Sequence, residues 1–467
     1  MGVADENIGE ECGIMGIFGG SEVAFKVLMG LYSLQHRGQE SVGLAIAEST
    51  GEIQVIKRMG LVTELTREEK LVASLKGHAA IGHVRYSTTG NSNILNAQPM
   101  MASTKRGPLA IAHNGNIVNA PEIRHQMEED GHIFQTTSDT EIVLHLIARS
   151  KQPLLSDAIA ETLNQLTGSF CLVFLARDAV YVARDGFGFR PLCLGRLAES
   201  WVVASETCAL DLLGASYVRD IKPGELCTIK ESGIETQIFT TKPNRAHCIF
   251  EFIYFSRPDS RIFEESCDKV RRKIGKTLAK EFPVAADVVI SVPDSSNTAA
   301  LGYAQESGIP FDIGLLRNHY VGRTFIDPSQ NVREQKVKLK FNTIAGVLKN
   351  KRVVLVDDSI VRGTTLKLLT KMLRDAGAKE VHIRISSPPV INPCFYGMDF
   401  PSKNELIAST LTVEETRKLL GADSLEYLSI QGLLKTAPNG SRNYCAACFD
   451  GKYPEQIPEG STKFRCE

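Results

Sequence analysis

The run Val353-Val354-Leu355-Val356 passes without a break into Asp357-Asp358-Ser359-Ile360-Val361-Arg362-Gly363-Thr364-Thr365, and a helical periodicity follows over Thr364 to Ala376. Four consecutive aliphatic residues suit a strand covered on both faces, as in a parallel sheet between helices. The polar turn then lies where the first helical N–H groups lack intrahelical partners and the helix dipole favours an anion. The segment therefore predicts a parallel α/β layer with an anion site at the carboxyl edge of one strand. Gly363 lets the backbone approach a ligand, and Thr364 and Thr365 add hydroxyl donors. Asp357 and Asp358 are adjacent at a strand end, so their side chains are expected to diverge. That excludes a proton-sharing pair and suits contact with sugar hydroxyls and a hydrated Mg2+.

Upstream, Val288 to Val292 reads as a second buried strand running into Pro293-Asp294-Ser295-Ser296, a turn placed to face the same crevice. Arg317, Arg323, Arg333, Lys336, Lys338 and Lys340 make the intervening segment Arg317 to Asn342 basic, in the position of a lid. With a strand over Val381 to Ile385 and a helix over Cys267 to Glu281, the second half reads as βαβ units. The first 240 residues follow another rhythm. Short β-like runs at Gly13 to Phe18, Gly43 to Ala47, Ala79 to Val84, Leu109 to His113, Phe170 to Leu175, Val180 to Ala183 and Trp201 to Ser205 predict antiparallel sheets. Helical patterns at Val23 to Ser33, Ala120 to Asp130 and Thr140 to Ala148 cover them. Two domains are also what 467 residues require, and Thr240 to Arg245 is the expected linker.

Lys and Arg number 53 against 54 Asp and Glu, so no broad field for nucleic acid or anionic lipid exists and any anion must be held locally. No apolar run reaches membrane-spanning length, and Met1 to Glu11 is acidic rather than a leader, which predicts a cytoplasmic protein without membrane partners. Eleven cysteines, an odd count without an export signal, argue against a disulfide framework. Cys171, Cys193, Cys208, Cys227 and Cys267 lie in apolar or mixed segments and read as small core residues.

Cys12 directly precedes the first strand. With the acidic stub removed, its own α-amine, of pKa near roughly 8, could take the proton of a thiol of pKa near roughly 8.5, so one residue would be both nucleophile and base. Alone, such a cysteine reads as a core residue near a loose terminus. It does not stand alone: Leu34-Gln35-His36-Arg37-Gly38-Gln39-Glu40-Ser41, Gly82-His83-Val84-Arg85-Tyr86-Ser87-Thr88, Ile111-Ala112-His113-Asn114-Gly115-Asn116 and Thr137-Ser138-Asp139-Thr140-Glu141 follow in order. Together these motifs resemble those of the N-terminal-nucleophile glutamine amidotransferases. The resemblance implies an αββα sandwich over 12–241 and a propeptide over 1–11. It implies Cys12 as nucleophile, Arg85 and Asp139 holding the carboxylate and ammonium of glutamine, and Asn114 with Gly115 as the oxyanion hole. Taken by itself, Asn114-Gly115 is a common hairpin turn.

The stretch Val353 to Thr365 resembles the phosphoribosyl pyrophosphate signature of the type I phosphoribosyltransferases. That implies an α/β parallel-sheet domain over 242–467, 5-phosphate binding by Ser359, Arg362, Gly363, Thr364 and Thr365, and ribose and Mg2+ contacts by Asp357 and Asp358; the upstream turn Pro293 to Ser296 is an independent candidate loop for pyrophosphate and metal, with Ser295 as the Mg2+ ligand. Both halves in this order resemble the glutamine-dependent phosphoribosyl pyrophosphate amidotransferases, although Gly186 stands where many relatives carry Pro. The family resemblance implies transfer of ammonia from glutamine to phosphoribosyl pyrophosphate, giving phosphoribosylamine, glutamate and pyrophosphate at the start of purine synthesis. It also implies a homotetramer inhibited by purine nucleotides. A regulator that binds phosphoribosyl pyrophosphate without turnover and an amidotransferase with another acceptor are the rival readings.

Cys445-Ala446-Ala447-Cys448 is a thiolate pair that needs two further ligands, and alone it is compatible with zinc or redox chemistry. Cys248 and Cys394 match the subgroup of this family made with a propeptide, and the resemblance implies a structural 4Fe-4S cluster on Cys248, Cys394, Cys445 and Cys448, with zinc as the alternative metal. Such a cluster is expected to lie remote from both chemistries. Cys466 has no evident partner.

Overall fold

The computed structural model describes residues 12–86, 92–242, 245–318, 339–398, 400 and 402–457. The first half is a sandwich of two antiparallel sheets. One has seven strands in the spatial order Ser216–Asp220, Cys193–Leu197, Ser200–Ala204, Gly13–Phe18, Ala79–Arg85, Ser41–Ala47 and Ile53–Met59. The other has six, in the order Gly233–Ile238, Glu225–Lys230, Val180–Arg184, Gly168–Leu175, Gly107–Ile117 and Met100–Thr104.

Period-two alternation places Ile14 and Phe18 in the core between the sheets, with Val173, Val182 and Val203, while Met15 and Ile17 face the helix Val23–Ser33. On the far side Leu172 and Phe174 pack on Ile142, Ile147 and Ile159 of the helices Glu141–Arg149 and Leu155–Leu163. Central strands are thus buried on both faces, which is why they read as continuous apolar runs, and the layers are α, β, β, α.

The second half contains a four-stranded parallel sheet in the order Val288–Ser291, Arg352–Asp357, Glu380–Ile385 and Ser424–Tyr427. Cys267–Glu281 forms the helix that its periodicity predicts, with Ser266 Oγ accepting from Lys269 N at 3.5 Å as its N-cap. Thr364–Asp375 follows the strand Arg352–Asp357 as the expected helix, opened by Gly363 at φ +80°. The basic segment begins and ends in a ribbon, Leu315–Arg317 against Phe341–Thr343. Arg323, Arg333, Lys336 and Lys338 lie outside the described residues, as do Ser87, Thr88, the stub 1–11 and Cys466.

The two halves meet through buried charge. Arg37, fully buried, donates through Nε to Glu206 and through Nη2 to Glu251 Oε2 at 2.6 Å, and its Nη2 also reaches Ser256 Oγ at 3.2 Å. Glu206 in turn accepts from Ser260 Oγ at 2.6 Å and Arg257 N at 2.9 Å. Glu251 opens a π-helical turn, Glu251–Phe255, whose carbonyl oxygens are gripped by Arg271: Nε donates to Phe252 O at 2.7 Å and Nη2 to Tyr254 O at 2.9 Å. The chain's tail also returns to the junction, since Tyr444–Cys445 pairs in parallel with His247–Cys248.

Candidate active site

The first centre forms at the ends of adjacent strands. Cys12 enters Gly13–Phe18, whose neighbour Ala79–Arg85 ends at Arg85, and the Cys12 thiol donates to Tyr86 O at 3.5 Å. Burial pushes this thiol up to about 11, and the charges of Arg85, Glu40 and Asp139 all bear on it, so these groups converge. Arg85 Nη1 donates to Glu40 Oε1 at 2.7 Å. Asp139 Oδ2 accepts from Ile117 N at 2.9 Å and Oδ1 from Thr140 Oγ1 at 3.2 Å. Burial alone would raise the Asp139 carboxyl, but the charge and hydrogen bond of His113, with these donors, bring it below the usual carboxylate range. It is therefore ionised and retains lone pairs for a cation.

Asn114 and Gly115 are not at a hairpin turn. Both lie inside the strand Gly107–Ile117, paired with Cys171 and Phe170. The buried Asn114 Nδ2 has no hydrogen-bond partner among the described residues. An amide N–H2 buried without a partner is costly unless a ligand completes it. Gly115 adopts φ +148°, and a Cβ there would stand 2.1 Å from Ser169 O, so the strand admits no side chain at this position. His83 stays neutral beside this centre, since burial lowers it to about 3 while its Nε2 lies 2.9 Å from His113 O.

The second centre is a cavity of about 330 Å³ at the carboxyl edge of the parallel sheet, lined by Asp357 to Leu366, Val292 to Ser295 and residues of the first half. Ser359, Arg362, Gly363, Thr364 and Thr365 all border it. Ser295 Oγ donates to Asp358 Oδ2 at 2.5 Å, Ser359 Oγ to Asp358 Oδ1 at 2.6 Å, and Arg362 Nη2 to Glu405 Oε1 at 3.2 Å.

The two aspartates do not diverge as expected. Ser296 Oγ lies 3.0 Å from Asp357 Oδ1 and 3.4 Å from Asp358 Oδ2, so one hydroxyl serves both carboxylates. Asp357 ends its strand and Asp358 lies beyond it, where alternation no longer governs side-chain direction. Burial and the neighbouring charge of Asp358 raise Asp357 well above the carboxylate range, and burial raises Asp358. Two buried acids so strained in their ionised form, with a hydroxyl at hand, fit a hard divalent cation.

Sequence reasoning gave no role to Arg271, His36 or Gln39, and placed Ser296 in the turn facing the crevice without assigning it a partner. His36 and Gln39 line the cavity from the first half, while Glu40, one residue on, pairs with Arg85 at the other centre. The segment Arg37 to Glu40 therefore touches both sites. These residues stand within the quoted motif Leu34 to Ser41, but their placement is set by packing across the domain junction. Arg271 carried no local signal.

The four cysteines converge from three stretches of chain. Cys248 and Cys445 are register partners, Ile391 N and Asn392 N both donate to Cys448 O, and the thiols of Cys248, Cys445 and Cys394 each raise the buried thiol of Cys448, after burial itself. Among the described residues no three His, Cys, Asp or Glu side chains are compact enough to enclose a single metal ion. Phe395 O, one residue past Cys394, accepts from Asn116 Nδ2 at 2.8 Å, so this stretch of chain reaches the strand that carries Asn114 and Gly115.

Family models match on both sides of the junction, a glutamine amidotransferase domain over residues 83–212 and a phosphoribosyl transferase domain over 260–386. Amidophosphoribosyltransferase of Bacillus subtilis is 48% identical over 457 residues, covering 97% of this chain and 96% of that protein. The chain belongs to the amidophosphoribosyltransferase family. The family member from Archaeoglobus fulgidus is also 48% identical, covering 96% of this chain and 98% of its own. Among solved structures, the Bacillus subtilis glutamine phosphoribosylpyrophosphate amidotransferase complexed with ADP and GMP superposes with a TM-score of 0.92 at 47% identity, covering 98% of this chain and all of that one. No helix among the described residues is long and apolar enough to cross a membrane.

Proposed function

We propose that this amidophosphoribosyltransferase divides its reaction between the two centres as follows. Cys12, freed as the first residue by loss of 1–11, passes its thiol proton to its own α-amine, and the sulfur attacks the amide carbon of glutamine. Arg85 holds the substrate carboxylate and Asp139 its ammonium. Asn114 Nδ2 and the Gly115 N–H receive the developing oxyanion. The tetrahedral adduct collapses to a thioester, the amide nitrogen leaves as ammonia with the proton from the amine, and water hydrolyses the thioester to glutamate.

Ammonia then passes along the junction at Arg37 to Glu40 and forms a bond to the anomeric carbon of phosphoribosyl pyrophosphate, while the bond to pyrophosphate breaks. Ser359, Arg362, Gly363, Thr364 and Thr365 hold the 5-phosphate and Asp357 and Asp358 the ribose hydroxyls. Mg2+, bound by Asp357, Asp358 and Ser295, would neutralise charge on the departing pyrophosphate. The observation that carries this reading is the shared cavity. The acids of the phosphate loop and His36 and Gln39 of the glutaminase half line one space, and the next residue is bonded to Arg85.

The glutaminase domain comprises 12–241 and the phosphoribosyltransferase domain 242–467. Cys248, Cys394, Cys445 and Cys448 hold a 4Fe-4S cluster, a reading supported by the convergence of the four thiols from three stretches of chain. The protein acts in the cytoplasm as a homotetramer restrained by purine nucleotides, in keeping with the nucleotide-bound relative. Incubation of purified protein with glutamine, Mg2+ and phosphoribosyl pyrophosphate should release glutamate and pyrophosphate in equal amounts. Glutamate without pyrophosphate would overturn the assignment of the acceptor.

A further inference from the structure

The strand carrying Asn114 and Gly115 is clasped from outside its own domain. Asn116 Nδ2 donates to Phe395 O at 2.8 Å. Gly397, at φ +103°, lies so close that a Cβ there would stand 3.3 Å from the Gly115 carbonyl carbon and 3.4 Å from its Cα. Gly115 is therefore packed closely against both Ser169 and Gly397. This loop of the second half is itself held firmly. Arg190, buried, donates through Nη2 to Tyr396 O at 2.6 Å, and the Tyr396 ring stacks on Phe189 with centroids 4.2 Å apart. The neighbouring strand is gripped as well: Gly168 N donates to Glu455 Oε2 at 2.8 Å, and Lys242 Nζ holds the other oxygen at 3.0 Å.

An oxyanion hole works only if its donors already point at the place where charge develops, and displacement by about 1 Å can cost on the order of a hundredfold in rate. A glycine peptide has no side chain to restrain it, so its orientation depends on what lies against it. We infer that Asn116 and the loop Phe395–Gly397 are positioning residues for the oxyanion-stabilising donors, so that the second domain sets how well the first stabilises its transition state. This rests on the assignment of Asn114 and Gly115 as those donors.

Asn116→Ala and Gly397→Ala, each in the processed full chain, test it. Glutamine hydrolysis should lose about tenfold or more in kcat with KM for glutamine kept within about twofold. Inhibition by glutamate γ-semialdehyde, whose adduct with Cys12 places an oxygen in the hole, should weaken in parallel with kcat, while affinity for glutamate stays. Pyrophosphate release driven by added ammonium chloride should not change. A merely architectural contact would instead lower ammonia-driven turnover and glutamate affinity together with kcat. That outcome, unfolding of both variants, or kcat within about twofold in both, would overturn the inference. Asn114→Ala tests the underlying assignment separately: if semialdehyde affinity survives it, the donors have been misassigned, whatever Asn116 does.

Discussion

A protein that keeps residues 1–11 should hydrolyse glutamine about a thousandfold more slowly than one beginning at Cys12. In the uncut chain, burial pushes the Cys12 thiol up to about 11. At pH 7.5 such a thiol is ionised in about three molecules in ten thousand, and the thiolate is the nucleophile. A free α-amine of pKa near roughly 8 is neutral in about a quarter of molecules at that pH, and it sits on the same residue as the sulfur. The ratio of these fractions is on the order of a thousand. The pH dependence follows with a definite sign: the uncut protein should gain about tenfold per pH unit up to pH ~9, whereas the processed enzyme should level off near pH ~8 as its amine loses its proton. Glutamate release across pH 6.5 to 9, on samples whose N-termini have been read by mass spectrometry, measures both. Equal rates at pH 7.5, or a plateau near pH 8 in the uncut protein, would refute the α-amine as base.

Asp357→Asn and Asp358→Asn should each abolish pyrophosphate release while leaving basal glutamine hydrolysis, since Cys12 and its partners lie in the other half; loss of basal hydrolysis in a folded variant would show that the two activities are not separable. Arg37→Ala leaves the fully buried Glu206 and Glu251 short of a cation and should cost about 3–5 kcal/mol, read as a shift in the urea transition. In the parent chain burial would raise the Glu206 carboxyl, but Arg37 and His36 hold it well below its ordinary 4.5. Its stabilisation is therefore present above about pH 4.5 and lost as the pH falls further, and a variant as stable as the parent would show the network to be idle. Anaerobically prepared protein should carry iron and acid-labile sulfide, both lost with thermal stability in Cys448→Ser; stoichiometric zinc without sulfide would replace the cluster with a zinc site.

What could be read from the chain alone was whatever a short run of residues imposes on its own backbone. Val353 to Thr365 had to become strand, turn and helix start, and did so because its aliphatic run and its glycine act within a few residues. Cys267 to Glu281 forms a helix over the range its periodicity predicted. The edge strands Met100–Thr104 and Gly233–Ile238 escaped notice because half-exposed strands carry mixed residues, and their pairing comes from neighbours distant in sequence. Family resemblance named Cys12, Arg85, Asn114, Gly115 and Asp139, but could not say that the Asn114 amide is left without a partner while Asp139 is held ionised.

Only tertiary structure decided how these groups face one another. Ser296 reaches both Asp357 and Asp358 because the turn after the strand escapes the alternation that would have parted them. His36 and Gln39 enter the second cavity because Arg37 is locked between Glu206 and Glu251, charges that come from either side of the linker. The loop after Cys394 meets Gly115 through contacts spanning about 280 residues. Local sequence determines what the backbone does next. Contacts between residues hundreds of positions apart depend on how whole domains pack, and no short segment encodes that.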